Sequence, residues 1–135
     1  MSSRWIIFGV LALVVCGAPA DSLAGAVSPR LTVEQARNLM REQRGQPDFV
    51  ILDVRTPEEF GHGHLPGAVN LNLMTPDFEA RLGALSRDKT YLVYCRTGNR
   101  STTAIEIMER LKFRTVFHMF EGIVGWEKKQ FPVTR

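Results

Sequence analysis

A strand, a tight loop and a helix are predicted in direct succession between residues 91 and 105. Residues 91–94 (YLVY) form a short apolar run rich in β-forming side chains, which predicts a buried strand. From Thr102 onward apolar side chains recur at helical spacing, which predicts a helix. A polar loop that begins at Cys95 and ends at Arg100 joins these two elements.

This loop has the features of an anion-binding site. Its backbone N–H groups, and those of the helix that it opens, would converge on its centre. Cys95, expected at the rim, lies beside a helix N-terminus and near two arginines, and both features favour the nucleophilic thiolate. The loop therefore predicts a reactive cysteine inside an anion site. The predicted binding residues are Arg96, Thr97, Gly98, Asn99 and Arg100.

Length and composition exclude several classes of protein. The chain has 135 residues, which suits one domain, and its net charge of +3 comes from mixed charges that do not favour nucleic acid. Two cysteines are too few for a disulfide framework. Only His62 and His64 lie close together among the three histidines, so we expect neither a metal nor another cofactor.

The first 20 residues are typical of a cleaved signal peptide. Arg4 precedes an apolar stretch at residues 5–15, and small residues at 18–20 supply a cleavage site; a second cut near residue 26 is an alternative. The stretch is shorter than the roughly 18 residues that a membrane-spanning helix needs. We therefore expect a periplasmic or secreted protein that retains Cys95 as its only cysteine. A lipid anchor on Cys16 is the alternative.

Predicted strands and helices alternate along the rest of the chain. A capping box at Thr32 predicts a helix to about Gln43, Thr56 followed by proline predicts a short helix, and Thr75 followed by proline predicts another to about Leu85. Residues 49–54 form an apolar run typical of a strand that is buried on both faces. This alternation predicts an α/β fold with an open parallel sheet and helices on both faces.

In such sheets the site lies beyond the carboxyl ends of the strands. Asp53 and Arg55, the Cys95 loop and the turn after Phe120 all follow predicted strands. We therefore expect these three features to converge.

Four segments resemble the signatures of single-domain rhodaneses, which are sulfurtransferases. Residues 52–60 (LDVRTPEEF) and 63–70 (GHLPGAVN) resemble the first two, residues 95–101 (CRTGNRS) resemble the active-site loop, and residues 122–126 (GIVGW) resemble the closing segment. The resemblance covers residues 28–133. Glu121 departs from it, because the family often has glycine there, and this leaves the fine substrate preference open.

The resemblance implies a three-layer fold with a five-stranded parallel sheet. It also implies a mechanism in which Cys95 takes sulfane sulfur from a small donor such as thiosulfate, forming a persulfide, and passes it to cyanide or a thiol. Related phosphatases have one more residue between cysteine and arginine, so the shorter loop favours a sulfur atom over phosphate. The expected partners are these small molecules and no nucleic acid. The sequence does not indicate an oligomeric state.

Supporting roles are predicted for Asp53, Arg55 and His64. Asp53 should accept backbone hydrogen bonds, Arg55 should form a local ion pair with Glu59, and His64 should brace its turn. Arg100 either binds the donor's oxygens or braces the loop through carboxylates.

Two other functions use the same cysteine. The protein could be a periplasmic sulfur carrier that delivers persulfide to a protein partner. A redox-sensing thiol is disfavoured because no resolving cysteine would remain after cleavage.

Overall fold

A computed structural model describes residues 28–135 of the chain. The predicted signal peptide at residues 1–20, its alternative cut near residue 26 and the alternative lipid site at Cys16 lie outside the described residues. No helix between residues 28 and 135 is long and apolar enough to cross a membrane.

Five strands form one entirely parallel sheet in the order β1-β5-β4-β2-β3. The strands are β1 (Arg30–Leu31), β2 (Phe49–Asp53), β3 (Val69–Asn70), β4 (Thr90–Tyr94) and β5 (Thr115–Met119). The chain runs outward from β2 to β3, returns to β4 on the other side of β2, and then continues in the opposite direction. The carboxyl ends of β2 and β4 therefore flank the switch point, where α/β sheets place their ligand sites.

Five helices cover both faces of this sheet, as predicted. They are α1 (Val33–Glu42), α2 (Pro57–His62), α3 (Phe78–Gly83), α4 (Asn99–Arg110) and α5 (Gly122–Lys128). Apolar side chains of α3 and α4 pack in the core on one face, and those of α1, α2 and α5 pack in the core on the other.

Side chains of the central strand β4 point alternately to the two faces of the sheet and so contribute to both cores. Tyr91 and Val93 face the α3–α4 core, and Leu92 and Tyr94 face the other. All four are at most 1% exposed, which is why the sequence reads as a continuous apolar run. Cys95 continues the first set, so its side chain belongs to the α3–α4 face.

Threonine caps begin two of the helices as predicted, and a third helix differs. The hydroxyls of Thr32 and Thr56 accept the N3 amides of α1 and α2, and both form complete capping boxes. The helix predicted from Thr75 to about Leu85 instead spans Phe78–Gly83, with Asp77 at its N-cap. The reason is that the Thr75 hydroxyl donates to the carbonyl oxygen of Asn72, which forms a turn rather than a cap.

Candidate active site

Cys95 lies at the floor of the loop rather than at its rim, where the sequence placed it. The residue is 1% exposed, because it directly follows the buried end of β4. The Gly98 N–H donates to Cys95 Sγ at 3.1 Å. Arg96, Thr97 and Asn99 of the same loop are exposed. The candidate nucleophile is thus a buried sulfur that faces a backbone donor, in a loop that also carries exposed polar residues.

Gly98 gives the loop its curvature, as predicted. It has φ +100° and forms the N-cap of α4. A Cβ at this position would overlap the carbonyl oxygen of Phe120. Only glycine combines this positive φ with so close a backbone approach.

The first turn of α5 holds the loop from the other side. The N–H groups of Ile123 and Val124 donate to the carbonyl oxygens of Cys95 and Arg96 at 3.0 and 3.2 Å. Gly122 has φ +66°, and a Cβ there would overlap the Arg96 carbonyl. The expected convergence of the turn after Phe120 with the cysteine loop is therefore confirmed.

Arg100 braces the loop through a carboxylate. Its guanidinium donates to both oxygens of Glu59 at 2.7 and 2.8 Å, which ties α4 to α2. Arg100 and the capping hydrogen bonds of Thr56 lower the pKa of Glu59 to about 2, so this carboxylate stays ionised. Of the two roles left open for Arg100, the geometry corresponds to the bracing one.

The predicted ion pair between Arg55 and Glu59 is wrong. Arg55 instead pairs with Asp53 at 2.7 Å, and both residues are at most 5% exposed. Spacing alone failed because Arg55 lies before α2, and its side chain turns back to the end of β2. Arg55 also donates to the Gly63 carbonyl at 2.7 Å, so the pair ties β2 to the turn after α2.

Asp53 and His64 take the supporting contacts that were predicted for them. Asp53 Oδ1 accepts the backbone N–H of Arg55 at 3.0 Å. His64 Nδ1 lies 2.9 Å from the carbonyl oxygen of Phe60, and its ring stacks on the Phe60 ring. His64 also exchanges two backbone hydrogen bonds with Thr134. These contacts hold the two turns that adjoin the carboxyl end of β2.

Sequence reasoning missed two polar residues beneath the cysteine, Ser101 and His118. Ser101 Oγ lies 3.3 Å from Cys95 Sγ and 2.7 Å from His118 Nε2. Strand alternation could have indicated the histidine, because His118 pairs with Val93 and follows Val116 on the face that carries Cys95. Burial, followed by the charge of Arg30, lowers the pKa of His118 to about 4, so its ring is neutral near pH 7.

Arg96 retains a charge available to an anionic ligand. Its side chain is exposed and forms no salt bridge with any residue between 28 and 135. Across the same range, no group of three or more His, Cys, Asp or Glu side chains could hold a metal ion. The arrangement can stabilise a small anion on a sulfur nucleophile.

Comparisons with known proteins place these features in a family. The family model described as Rhodanese-like domain matches residues 32–129. A putative mitochondrial thiosulfate sulfurtransferase from Schizosaccharomyces pombe is 30% identical over 107 residues, covering 71% of this chain and 75% of that protein.

A longer relative matches over part of its length, and a solved structure matches in fold. The probable adenylyltransferase/sulfurtransferase MoeZ from Mycobacterium tuberculosis is 30% identical over 118 residues, which cover 87% of this chain and 29% of that protein. A rhodanese-related protein from Thermoplasma volcanium superposes with a TM-score of 0.67 at 25% identity, covering 78% of this chain and 97% of that one. The chain therefore belongs to the rhodanese-like family.

Proposed function

We propose that this protein is a sulfurtransferase that moves sulfane sulfur from a thiosulfate-type donor to a thiophilic acceptor through a persulfide on Cys95. The observation that carries the proposal is the position of Cys95 Sγ, which faces the Gly98 N–H at the floor of a loop rimmed by exposed polar side chains. Family membership supports sulfur transfer as the general chemistry.

The first half-reaction loads the enzyme. The Cys95 thiolate attacks the outer sulfur of thiosulfate, a new S–S bond forms, and the donor's S–S bond breaks with its electron pair leaving on sulfite. Total charge is conserved, because a thiolate and a dianion give a persulfide anion and a dianion. Arg96 is the proposed contact for the donor's oxygens, since its guanidinium is exposed at the loop and Arg100 is held by Glu59.

The second half-reaction releases the sulfur. Cyanide or a thiolate attacks the outer sulfur of the persulfide, and the Cys95 thiolate leaves. Splitting one transfer into two displacements is covalent catalysis. Because the Gly98 N–H already points at the sulfur before reaction, it can stabilise the anion with little reorganisation.

Intact mass spectrometry after incubation with thiosulfate tests this function. The wild-type chain should gain one sulfur atom and the Cys95→Ser variant none, and peptide mapping should locate the added sulfur at Cys95. Addition of cyanide should then remove the sulfur and produce thiocyanate. A wild-type chain that gains no sulfur while Cys95 remains open to alkylation would contradict thiosulfate as the donor.

The acceptor separates the enzyme from the sulfur carrier. Catalytic turnover with thiosulfate and cyanide supports the enzyme, whereas a loaded chain that releases its sulfur only to a co-expressed protein supports the carrier.

We also propose export through cleavage of residues 1–20, based on the apolar stretch at residues 5–15. The mass recorded before thiosulfate is added tests this, because an exported chain that still carries those residues would contradict cleavage.

A further inference from the structure

A buried serine lies between the sulfur of Cys95 and a buried histidine. Ser101 is 0% exposed, and its Oγ lies 3.3 Å from Cys95 Sγ and 2.7 Å from His118 Nε2. Both contacts lie beneath the loop, in the protein interior. The sulfur therefore has a side-chain neighbour in addition to the Gly98 N–H.

The single hydrogen of the Ser101 hydroxyl has two possible acceptors. One is the carbonyl oxygen of Gly98 at 3.0 Å, and the other is Cys95 Sγ once this is a thiolate. The Gly98 carbonyl also accepts the Thr102 hydroxyl at 2.8 Å and the Thr102 N–H at 3.1 Å. It therefore keeps two donors when the Ser101 hydrogen turns to the sulfur, so this rotation leaves no buried acceptor unpaired.

His118 can donate a hydrogen bond to Ser101 Oγ that persists whichever way the serine hydroxyl points. Desolvation and Arg30 lower the pKa of His118 to about 4, and a neutral ring with its hydrogen on Nε2 donates to Ser101 Oγ. Arg30 also lines a surface pocket of about 250 Å³ beside His118, together with Glu106 and Glu109 of α4. When a hydroxyl oxygen accepts a hydrogen bond from an N–H group, the hydrogen bond that the same hydroxyl donates becomes stronger.

We propose that Ser101 donates its hydroxyl hydrogen to the Cys95 thiolate, and that His118 is a positioning residue that holds and polarises this hydroxyl. In the thiol form, the Cys95 S–H donates to Ser101 Oγ and Ser101 donates to Gly98. When the thiol loses its proton to solvent, the Ser101 O–H turns to the sulfur.

The same hydrogen bond serves both half-reactions of the proposed function, on which this inference rests for the identity of the nucleophile. It stabilises the thiolate before attack on the donor. After the S–S bond forms, Cys95 Sγ is a poor acceptor and the Ser101 hydroxyl returns to Gly98. When the acceptor takes the outer sulfur, Cys95 Sγ leaves as a thiolate and the hydroxyl turns to it again.

The test is the rate at which iodoacetamide alkylates Cys95 as a function of pH, read from the mass of the peptide that carries Cys95. In Ser101→Ala, the pH of half-maximal rate should rise by about one unit, because the thiolate loses one charge-assisted hydrogen bond. At pH values below the midpoint, the alkylation rate should fall about three- to tenfold, because a tenfold smaller thiolate fraction is partly offset by a more nucleophilic thiolate. The plateau at high pH should stay unchanged or rise by up to about threefold, since the nucleophilicity of a thiolate increases with its pKa.

Thr102→Ala is the matched control for the serine. Thr102 also donates its hydroxyl to the Gly98 carbonyl, but it has no hydrogen bond to the sulfur. Its alkylation profile should match the wild type. An unshifted profile in Ser101→Ala, or an equal shift in Thr102→Ala, would overturn the role of Ser101.

Two substitutions separate positioning by His118 from simple packing. His118→Gln keeps an N–H donor near the position of Nε2 and should retain the wild-type profile, whereas His118→Leu should shift it in the same direction as Ser101→Ala. If His118→Leu fails to fold, the glutamine variant still decides, because a shift there as large as that of Ser101→Ala contradicts donation by a neutral side chain.

Alkylation does not require sulfur transfer, so the inference and the proposed function can fail separately. A wild-type chain that loads sulfur, with an unshifted Ser101→Ala profile, removes only the inference. A shifted profile in a chain that never loads sulfur from any donor removes only the function.

Discussion

At the scale of single residues, one glycine decides whether the cysteine loop can lie against α5. Gly122 combines φ +66° with a Cβ direction that points into the Arg96 carbonyl. Gly122→Ala should lower the free energy of unfolding by about 3 kcal/mol, because strain at positive φ adds to a backbone overlap. Because the loop must move, sulfur loading of Cys95 should fall at least about tenfold.

Gly61→Ala provides the matched control for this variant. Gly61 lies within α2, its φ is not positive, and a Cβ there would meet nothing within 4 Å. The substitution should leave the stability unchanged or raise it by up to about 1 kcal/mol, since alanine favours helix. Urea unfolding measures both variants, and equal midpoints for Gly122→Ala and wild type would contradict close packing of the loop on α5.

The sequence indicated those site residues whose roles follow from local geometry. Gly98 was predicted from its need for positive φ, and the contact of Asp53 with a nearby backbone amide from its place at a strand end. Partners distant in sequence were not predictable in this way. Glu59 contacts Arg100 across 41 positions, and the spacing of Glu59 from Arg55 indicated the wrong pair.

The burial of the Cys95 sulfur was also not predictable from the local sequence. The loop residues that follow Cys95 are polar, which suggested an exposed rim. The structure continues the side-chain alternation of β4 by one more residue, so Cys95 joins the core instead. Ser101, in the first turn of α4, and His118, which pairs with Val93 from β5, also contribute buried polar side chains next to Cys95.

At the scale of whole elements, helix caps and hydrophobic periodicity predicted most of the helix and strand bounds. The exception is α3, where the direction of one hydrogen bond decides the outcome. Thr32, Thr56 and Thr75 all precede plausible helices. The first two hydroxyls accept an amide hydrogen three residues later, whereas the Thr75 hydroxyl donates backward to Asn72. The sequence contains the residue type but not the direction in which its hydroxyl is used.

Glu121 connects two elements, α1 and the turn that leads into α5. Its backbone is right-handed helical, so the position does not need the glycine that is frequent in the family. Its Oε2 accepts the N–H of Val33 at 2.7 Å, which satisfies one of the free donors at the start of α1. The side chain thus turns to α1 rather than to the Cys95 loop.

Glu121→Ala should therefore lower stability without changing substrate preference. We expect a loss of about 1 kcal/mol in the free energy of unfolding, which is typical of losing a helix cap. The KM for thiosulfate should stay within about twofold of the wild type. Glu34→Ala, which removes an exposed pair with Lys129, is the control and should cost at most about 0.5 kcal/mol. A large change in KM for Glu121→Ala would show that this position acts on the substrate.

At the scale of the whole molecule, two titratable side chains, His118 and Glu59, predict how the free energy of unfolding depends on pH. The folded pKa of His118 is about 4, below the usual 6.5. Between these values the unfolded chain binds a proton that the folded chain does not, so stability falls as pH drops from about 6.5 to about 4. The loss for this single, 7% exposed residue is up to about 3 kcal/mol.

Glu59 contributes in a lower and separate pH range. Its folded pKa of about 2 lies below the usual 4.5, so its pairing with Arg100 stabilises the fold above about pH 4.5 and is lost as pH falls toward 2. Because the pair is partly exposed to solvent, its contribution should be about 1 to 2 kcal/mol.

Urea unfolding at about pH 7, 5 and 3 separates these two contributions, because all other titrating groups are shared between the wild type and each variant. His118→Gln should lose less stability than the wild type between pH 7 and 5, and Glu59→Gln should lose less between pH 5 and 3. The two ranges do not coincide because imidazole resists gaining charge in a buried site, whereas the carboxylate keeps its charge beside a guanidinium. Parallel curves for wild type and His118→Gln above pH 5 would mean that His118 is already as free to take a proton in the folded chain as in the unfolded one. In that case its ring would take up a proton near pH 6.5, and below that pH the donor to Ser101 would be a charged ring rather than a neutral one.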